Sequence, residues 1–427
     1  MEKSGNVESL LATEAGPAKL KRVFLALLAY KIIYLLAASA AISIWPENTH
    51  ENMFHSASQV STPSGYLTFG CHFTSWDAEH YLFLAAHGYE AGESRCAFYP
   101  LFPLTIRFFS TITGGSQLVA GMILANVFSI AGWLIFFTVI QRRLGESTAK
   151  LALILLLAFP GSLFFQFVYT ESLFFLLLML LVLGLEQNRF WLALAAAFLL
   201  PLTRAVGLFC IFPLFWHLIT RSPPACWTKL RSQIPWGKGR IVTDEPSGTG
   251  ENPISTKRLG RGRGWFLLFA PLCGWAVYLW LMEEWTGNAF EGFKAQKQFG
   301  MQSIGNIFNI ADYLFTLGTP ANFHDIGCSI VDRGSFILLI YSLPIIWRLD
   351  KGWFLWSVFL GVVPAMSGMF VSYTRFASVV FPLFVAMPVF LNKPGLLFRC
   401  LRLLTVTTFA SLQIILLWRF VNFRWAG

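Results

Sequence analysis

Residues 117–140 read QLVAGMILANVFSIAGWLIFFTVI, a run that contains no Asp, Glu, Lys or Arg. About 20 predominantly apolar residues are enough to cross a bilayer as a helix. Similar apolar segments lie at 23–44, 151–169, 171–186, 190–204, 205–220, 265–282, 334–348, 353–372, 376–391 and 403–420. The pattern predicts an all-α polytopic membrane protein with about eleven transmembrane helices. The segments that meet at Glu171 and at Arg204 are short, so hairpins or broken helices stay open there.

The composition agrees with this fold class. Of the 427 residues, 56% are hydrophobic and 13% are charged, against roughly 25% charged in a typical soluble domain. This composition excludes a soluble enzyme, a disordered protein and a small disulfide scaffold. The net charge of +10 would fit nucleic-acid binding in a soluble protein, but in a membrane protein basic loops on the cytoplasmic side explain it. We therefore predict membrane lipids as partners and no nucleic acid.

The basic residues also predict the orientation. With the N-terminus inside, most of the 32 Lys and Arg residues fall in loops on the cytoplasmic side, as the positive-inside rule requires. The predicted regions are a cytoplasmic segment 1–22, a membrane half 23–221 with outer loop 45–116, a basic flexible cytoplasmic linker 222–264, and a membrane half 265–427 with outer loop 283–333. The candidate active site lies in loop 45–116, on the non-cytoplasmic face.

The densest group of polar side chains is TSWDAEHYLFLAAHGY at 74–89. We predict that this stretch is a helix, that Gly88 ends it, and that Glu79 lies off its main face. The residues that share the main face are Asp77, His80, Tyr81, Leu84 and His87. One face then carries a carboxylate and two imidazoles beside aromatic side chains. The alternative is an interfacial amphipathic helix whose Trp and Tyr lie at the level of the lipid headgroups.

The next segment, EAGESRCAFYPLFP at 90–103, contains Arg95 and two prolines. The prolines exclude a regular helix and indicate a rigid corner, or simply the entry to the next helix. Cys71 and Cys96 flank both motifs and could form a disulfide in an oxidising compartment. Their spacing does not decide whether they pair.

Charged residues near the ends of predicted spans form a third group: Glu171, Arg204 and Arg375. An ionisable side chain at membrane depth is costly and is by default a functional-site hypothesis. The alternative for the two arginines is that they extend to the headgroups. The Glu171 side chain is shorter than an arginine and reaches the headgroups less well, which favours a function for Glu171.

The residues SWDAEHY at 75–81, HGY at 87–89 and AFYPLFP at 97–103 resemble the first outer loop of the PIG-V family. That family includes the second mannosyltransferase of glycosylphosphatidylinositol (GPI) anchor biosynthesis and bacterial relatives. Looser similarity covers 159–174, 201–204 and 372–376. The resemblance implies a GT-C glycosyltransferase, a multispanning enzyme that takes a sugar from a polyprenyl phosphate on the outer face.

The resemblance also implies a role for one residue, and the chemistry of transfer from a lipid phosphate suggests roles for others. An acidic residue of the first outer loop is the expected catalytic base, and Asp77 matches that position. Arg204 or Arg375 would bind the phosphate of the donor. The full set of residues expected to contact substrate is Trp76, Glu79, His80, Arg95, Glu171, Arg204 and Arg375. No metal or other cofactor is expected.

The expected partners are a polyprenyl (dolichyl) phosphate-mannose donor and a lipid-linked or glycan acceptor, and a small partner subunit in the membrane stays open. The membrane would be the plasma membrane in a bacterium and the endoplasmic reticulum membrane in a eukaryote. Two other functions stay open as well. One is a secondary transporter of a polar solute, with its site near the bilayer midplane. The other is a non-catalytic subunit of a glycosylation complex that uses the outer loop for docking.

Overall fold

The computed structural model describes residues 16–44, 69–221, 263–299, 304–309, 323–326 and 329–427. These residues are almost entirely helical and contain no β-strand, which confirms the predicted all-α class. Parts of four predicted regions lie outside the described residues: 1–15 of the N-terminal segment, 45–68 of the first outer loop, 222–262 of the linker, and 300–303, 310–322 and 327–328 of the second outer loop.

The helices are numbered here in chain order over the described residues. The α-helices are α1 (Pro17–Ile44), α2 (Asp77–His87), α3 (Leu101–Ser110), α4 (Gln117–Leu144), α5 (Glu146–Ala158), α6 (Glu171–Glu186), α7 (Phe190–Thr203), α8 (Ile211–Arg221), α9 (Phe269–Thr286), α10 (Glu291–Gln298), α11 (Ile330–Leu349), α12 (Lys351–Ser357), α13 (Val363–Ser367), α14 (Tyr373–Ala377), α15 (Phe381–Leu391) and α16 (Leu396–Val421). The 3₁₀ turns are Phe69–Phe73, Ser94–Ala97, Pro160–Phe165, Ala205–Cys210, Arg263–Leu268 and Ile304–Asn309, and Val358–Val362 is a π-helical turn.

Long apolar helices confirm a multi-pass membrane protein. Within the described residues, five helices are long and apolar enough to cross a bilayer: Ala18–Ile44, Gln117–Leu144, Arg263–Thr286, Ile330–Leu349 and Leu396–Val421. The remaining apolar helices are shorter, as α5, α6 and α7 illustrate. The number of about eleven spans therefore stays a prediction.

The predicted span 151–169 is interrupted in the structure. Helix α5 ends at Ala158, and the chain then runs through the 3₁₀ turn Pro160–Phe165 to the start of α6 at Glu171. Pro160 lacks a backbone N–H and restricts Phe159 before it, which has φ −59° and ψ 136°. Residues 159–170, called the broken segment below, are all buried.

The predicted span 353–372 is also wrong as a single helix. It is divided among α12, the π-helical turn and α13, and a turn then leads into α14. Met369, Phe370 and Ser372 have positive φ values of 56°, 61° and 58°, a conformation that no regular right-handed helix contains. Pro364 and Gly368 within this stretch weaken a helix, whereas the hydropathy of the segment does not register a break.

The core lies where α6 packs between α4 and α7. Small residues allow this close packing, as is common between membrane helices. A Cβ atom on Gly184 would lie 2.8 Å from the backbone nitrogen of Ala193 in α7, and one on Gly132 of α4 would lie 3.0 Å from the Phe175 ring. The bundle that results supports the loop helices at one end.

The loop helix α2 has the predicted form. Gly88, at φ 88°, ends it and donates its N–H to the carbonyl of Leu84 at 3.0 Å. Burial does not follow the predicted main face: His87, on that face, is exposed, whereas Glu79, off it, is buried. Helix α10 of the other loop packs on the turn Ser94–Ala97, so the two loops support each other.

Candidate active site

Four charged side chains meet where the loop helix α2 lies on the bundle. Arg375 donates from Nη1 to Asp77 Oδ2 and from Nε to Glu171 Oε1. Arg204 donates from Nη1 to the same Glu171 oxygen at 2.5 Å. These residues, called the Arg375 cluster below, join two carboxylates and two guanidinium groups, so their formal charges cancel.

Each member of the cluster lies at or near the end of a short helix. Asp77 is the first residue of α2 and Glu171 is the first residue of α6. A carboxylate in the first turn interacts favourably with the positive end of the helix dipole. Arg204 directly follows α7, and Arg375 is the central residue of α14. The broken spans therefore bring these side chains together, because a continuous span would carry its ends to the membrane surfaces.

Two residues with unusual backbone conformation precede the short helices. Trp76, before Asp77, has φ 59° and ψ −127°, and Ser372, before α14, has φ 58°. A tryptophan at positive φ is an outlier of the kind that tertiary structure has to enforce. The conformation of Trp76 is held by its side chain, whose Nε1 donates to the carbonyl of Arg424 at 3.2 Å and whose ring meets Trp425 edge to face.

Burial differs sharply within the Arg375 cluster. The exposed fraction is 0% for the Glu171 side chain, 6% for Arg375, 13% for Arg204 and 31% for Asp77. Unpaired charges at this depth would be strongly destabilising, and mutual pairing removes that cost. Asp77 is the most accessible member, and its Oδ1 accepts no hydrogen bond from the described residues. A hydroxyl group that approaches the cluster can therefore reach Asp77 first.

Aromatic rings surround the guanidinium groups. The Arg375 guanidinium lies 4.5 Å from the centre of the Tyr169 ring, and the Arg204 guanidinium lies 4.8 Å from that of Phe376. The Tyr169 hydroxyl donates to the carbonyl of Ser75 at 3.0 Å, two residues before Asp77. Sequence reasoning singled out neither Tyr169 nor Trp425. Tyr169 directly precedes the Thr170-Glu171 pair, which was a usable signal, whereas Trp425 belongs to no motif.

Glu79, His80 and Arg95 form a second polar group on α2 and the following turn, called the loop trio below. Burial raises the pKa of Glu79 to about 7, and Arg95 opposes this shift. Burial also lowers the pKa of His80, with Asp77 acting in the opposite direction. The His80 ring is therefore largely neutral near pH 7, whereas the Glu79 carboxyl keeps its proton mainly below that pH.

Polar atoms of the loop trio lack partners. Glu79 Oε2, His80 Nδ1 and Arg95 Nε are buried and make no hydrogen bond within the described part of the chain. The His80 ring stacks on Phe98 at 4.7 Å, and the Arg95 guanidinium lies 3.9 Å above the Phe83 ring. Buried polar atoms without partners are rare, so the arrangement suits a ligand that supplies hydrogen bonds.

Neither a disulfide nor a metal-binding group appears in the described residues. The Cys96 thiol donates to the carbonyl of Glu90 at 3.1 Å and is not bonded to Cys71. No three His, Cys, Asp or Glu side chains lie together in a way that could hold a metal ion there.

Residues 21–218 match the family model of PIG-V mannosyltransferases. The match confirms the resemblance seen in the loop motifs. It includes Asp77, Glu171 and Arg204, whereas Arg375 lies beyond it. A search of curated proteins found no match.

Among solved structures, the chain is similar to ArnT from Cupriavidus metallidurans, a structure bound to undecaprenyl phosphate. The two are 11% identical, with 90% of this chain and 63% of ArnT covered and a TM-score of 0.48. It is also similar to the oligosaccharyltransferase AglB from Archaeoglobus fulgidus, in complex with an inhibitory peptide and a dolichol-phosphate. That match is 10% identical and covers 94% of this chain and 56% of AglB, with a TM-score of 0.43. The chain thus spans less than two thirds of either protein.

Proposed function

We propose that the protein is an inverting GT-C mannosyltransferase that moves mannose from a polyprenyl (dolichyl) phosphate-mannose donor to a lipid-linked or glycan acceptor. The active site would face away from the cytoplasm. One observation carries the proposal: Asp77 is fixed by Arg375 through Oδ2 while Oδ1 stays available at the accessible edge of a buried charge cluster. The family match over residues 21–218 supports mannose as the sugar and glycosyl transfer as the class of reaction.

Asp77 is the proposed general base. The acceptor hydroxyl would lie against Oδ1 and transfer its proton there while its oxygen bonds to C1 of the sugar. The bond from C1 to the phosphate oxygen breaks, and its electron pair leaves with the polyprenyl phosphate. A single displacement on a β-linked donor gives an α-mannoside. General-base catalysis of this kind contributes about 10²–10⁴-fold to the rate.

Arg204 is the better placed of the two arginines for the donor phosphate. Arg375 is 6% exposed and already donates to both carboxylates. Arg204 is more accessible, and only its Nη1 bonds a carboxylate in the described residues. Its remaining N–H groups would form charge-assisted hydrogen bonds to phosphate oxygens, which strengthen as negative charge develops on the leaving group.

The loop trio is the proposed acceptor subsite. The unpartnered atoms of Glu79, His80 and Arg95 can exchange hydrogen bonds with the hydroxyl groups of a sugar. A neutral His80 ring, and a Glu79 carboxyl that keeps its proton below about pH 7, can both exchange hydrogen bonds with the hydroxyl groups of an uncharged polyol. Trp76, the other residue expected to contact substrate, is held by Arg424 and Trp425 and would orient Asp77.

The test compares two equivalent substitutions in purified protein supplied with polyprenyl phosphate-mannose and candidate lipid acceptors. Asp77→Asn removes the proposed base, and we expect a loss of about 10²–10⁴-fold in kcat. Asp350→Asn is the matched control, because Asp350 also bonds an arginine but lies in a different cluster. We expect it to keep near-normal kcat. Full activity in Asp77→Asn would remove the proposed base, and solute uptake without any glycosyl transfer would favour a transporter.

A further inference from the structure

A lysine lies buried in the middle of the first membrane helix. Lys31, within α1, is 3% exposed. Its Nζ donates to Ser129 Oγ at 2.6 Å and to the carbonyl of Phe165 at 2.9 Å, and it lies 4.2 Å from the centre of the Trp133 ring. No carboxylate of the described residues forms an ion pair with it. A cation in such a place requires a functional explanation, and the proposed reaction does not use it.

The carbonyl that Lys31 binds belongs to the broken segment. Where a helix ends, its last carbonyl groups lose their intrahelical donors, and in an apolar environment each of them needs another donor. Side chains of neighbouring helices supply these donors. Tyr30 and Gln413 donate to the carbonyl of Leu157 at 2.9 and 3.0 Å, and Asn126 donates to that of Gln166 at 3.0 Å.

Lys31 differs from Tyr30 and Gln413 because little else replaces it. The Leu157 carbonyl keeps one donor if either Tyr30 or Gln413 is removed. The Phe165 carbonyl has Lys31 and, at 3.2 Å, the hydroxyl of Ser129. That hydroxyl has a single hydrogen, and the carbonyl of Ala125 lies closer to it, at 2.8 Å. Without Lys31, the Phe165 carbonyl would be buried with a weak donor or none.

A short buried path joins Phe165 to the Arg375 cluster. The residues from Phe165 to Glu171 are all buried. A displacement of Phe165 would therefore also displace Glu171, because no exposed loop lies between them. Tyr169, on this path, supports the Arg375 guanidinium and bonds the backbone at Ser75. Glu171, at its end, accepts hydrogen bonds from both arginines of the cluster.

We propose that Lys31 is a positioning residue: by holding the Phe165 carbonyl, it sets Tyr169 and Glu171 beneath Arg375 and thereby orients Asp77. The kinetic consequence rests on the proposed transferase function, whereas the structural consequence does not. Lys31 touches no substrate in this account. It acts through the broken segment, so its loss affects the alignment of the base more than the affinity for either substrate.

The experiment measures kcat, and KM for the lipid-phosphate sugar donor, in Lys31→Met. This substitution keeps the length of the side chain and removes its charge and its N–H groups. We expect kcat to fall about 10- to 100-fold, the cost of a displacement of about 1 Å at a reacting group, with KM changed by less than about twofold. Tyr30→Phe is the matched control on the same helix. It should keep kcat within about twofold of the native value, because Gln413 still binds the Leu157 carbonyl.

A second measurement does not depend on turnover. Hydrogen exchange followed by mass spectrometry should show faster exchange of residues 160–171 in Lys31→Met, and unchanged exchange there in Tyr30→Phe. If Lys31→Met does not fold, Ser129→Ala replaces it, since Ser129 holds the lysine ammonium over the carbonyl. A native protein without transferase activity would refute the proposed function alone. Unchanged exchange in residues 160–171, or unchanged kcat in an active protein, would overturn the role of Lys31.

Discussion

Two clusters in this protein place an arginine between two carboxylates. They differ in whether the accessible carboxylate keeps an oxygen without a hydrogen-bond partner. In the Arg143 cluster, Arg143 binds Glu186 at 2.5 Å and Asp350 at 2.7 Å, and its guanidinium lies 4.5 Å from the Trp353 ring. The Arg375 cluster repeats this arrangement with Glu171, Asp77 and the Tyr169 ring. The pattern of ion pairs alone therefore does not distinguish a cluster that only stabilises the fold from a candidate active site.

The difference lies in the second oxygen of the accessible carboxylate and in a second cation. Asp350 Oδ1 already accepts the N–H groups of Gly352 and Trp353, where it caps α12, whereas Asp77 Oδ1 has no such partner in the described residues. Arg204 adds a partly accessible guanidinium to the Arg375 cluster. Both oxygens of Asp350 are thus occupied, by a helix cap and by an arginine, whereas Asp77 keeps an oxygen available to a substrate.

Replacing Arg375 should produce the largest combined effect. Arg375→Gln leaves Asp77 and Glu171 without their shared cation, and breaking a buried ion pair from one side costs about 3–5 kcal/mol. We expect a clearly lower unfolding temperature in detergent and a loss of activity of more than about 100-fold. Arg375→Lys should recover part of the stability but little of the activity, because an ammonium cannot bond both carboxylates in the planar geometry of a guanidinium. Near-native activity in Arg375→Lys would contradict this account.

Matched substitutions of Arg204 and Arg143 should separate catalysis from stability. Arg204→Gln should lower kcat/KM for the lipid-phosphate donor by about 10- to 100-fold, the value of a charge-assisted hydrogen bond to the leaving group. Arg143→Gln should lower the free energy of unfolding by about 1–3 kcal/mol and leave the kinetic constants of the folded protein unchanged. Steady-state kinetics and thermal unfolding of both variants make the comparison. A kinetic defect in Arg143→Gln as large as that in Arg204→Gln would abolish the distinction.

The smallest expected effect concerns Glu79 and depends on pH. Its pKa is about 7 in the folded protein against an ordinary value of 4.5. Between these values the folded state keeps a proton that the unfolded state has lost, so the stability contributed by the neutral carboxyl is lost as the pH rises from about 4.5 to 7. Glu79→Gln cannot ionise and should escape this loss, which we expect to be about 1–2 kcal/mol. Parallel unfolding curves for both proteins across this pH range would refute the shifted pKa.

Much of this architecture follows from local sequence. The apolar periodicity identifies the long helices, and the pattern around Asp77 identifies α2 and its end at Gly88, because each depends on residues a few positions apart. Glu171, Arg204 and Arg375 were recognisable singly, since a charge in an apolar stretch is unusual whatever surrounds it. Their convergence on one point was not predictable, because Asp77 and Arg375 are 298 residues apart.

The errors have physical causes as well. A hydropathy window averages over Pro160 and Pro364 and so does not register that the chain breaks there. The burial of Glu79 was not predictable, since helical angles give the face of α2 on which it lies but not what packs against that face. The contact between Trp76 and Trp425 joins distant parts of the chain and leaves no local trace.

The separation between Asp77 and Arg375 also bears on how the protein is made. Synthesis and insertion proceed from the N-terminus, so Asp77 and Glu171 enter the bilayer with Arg204 long before Arg375 leaves the ribosome. During that interval the cluster has both of its carboxylates but only one of its two guanidinium groups. A fragment limited to the region of the family match would stay in this condition. The candidate active site is complete only when the last guanidinium arrives.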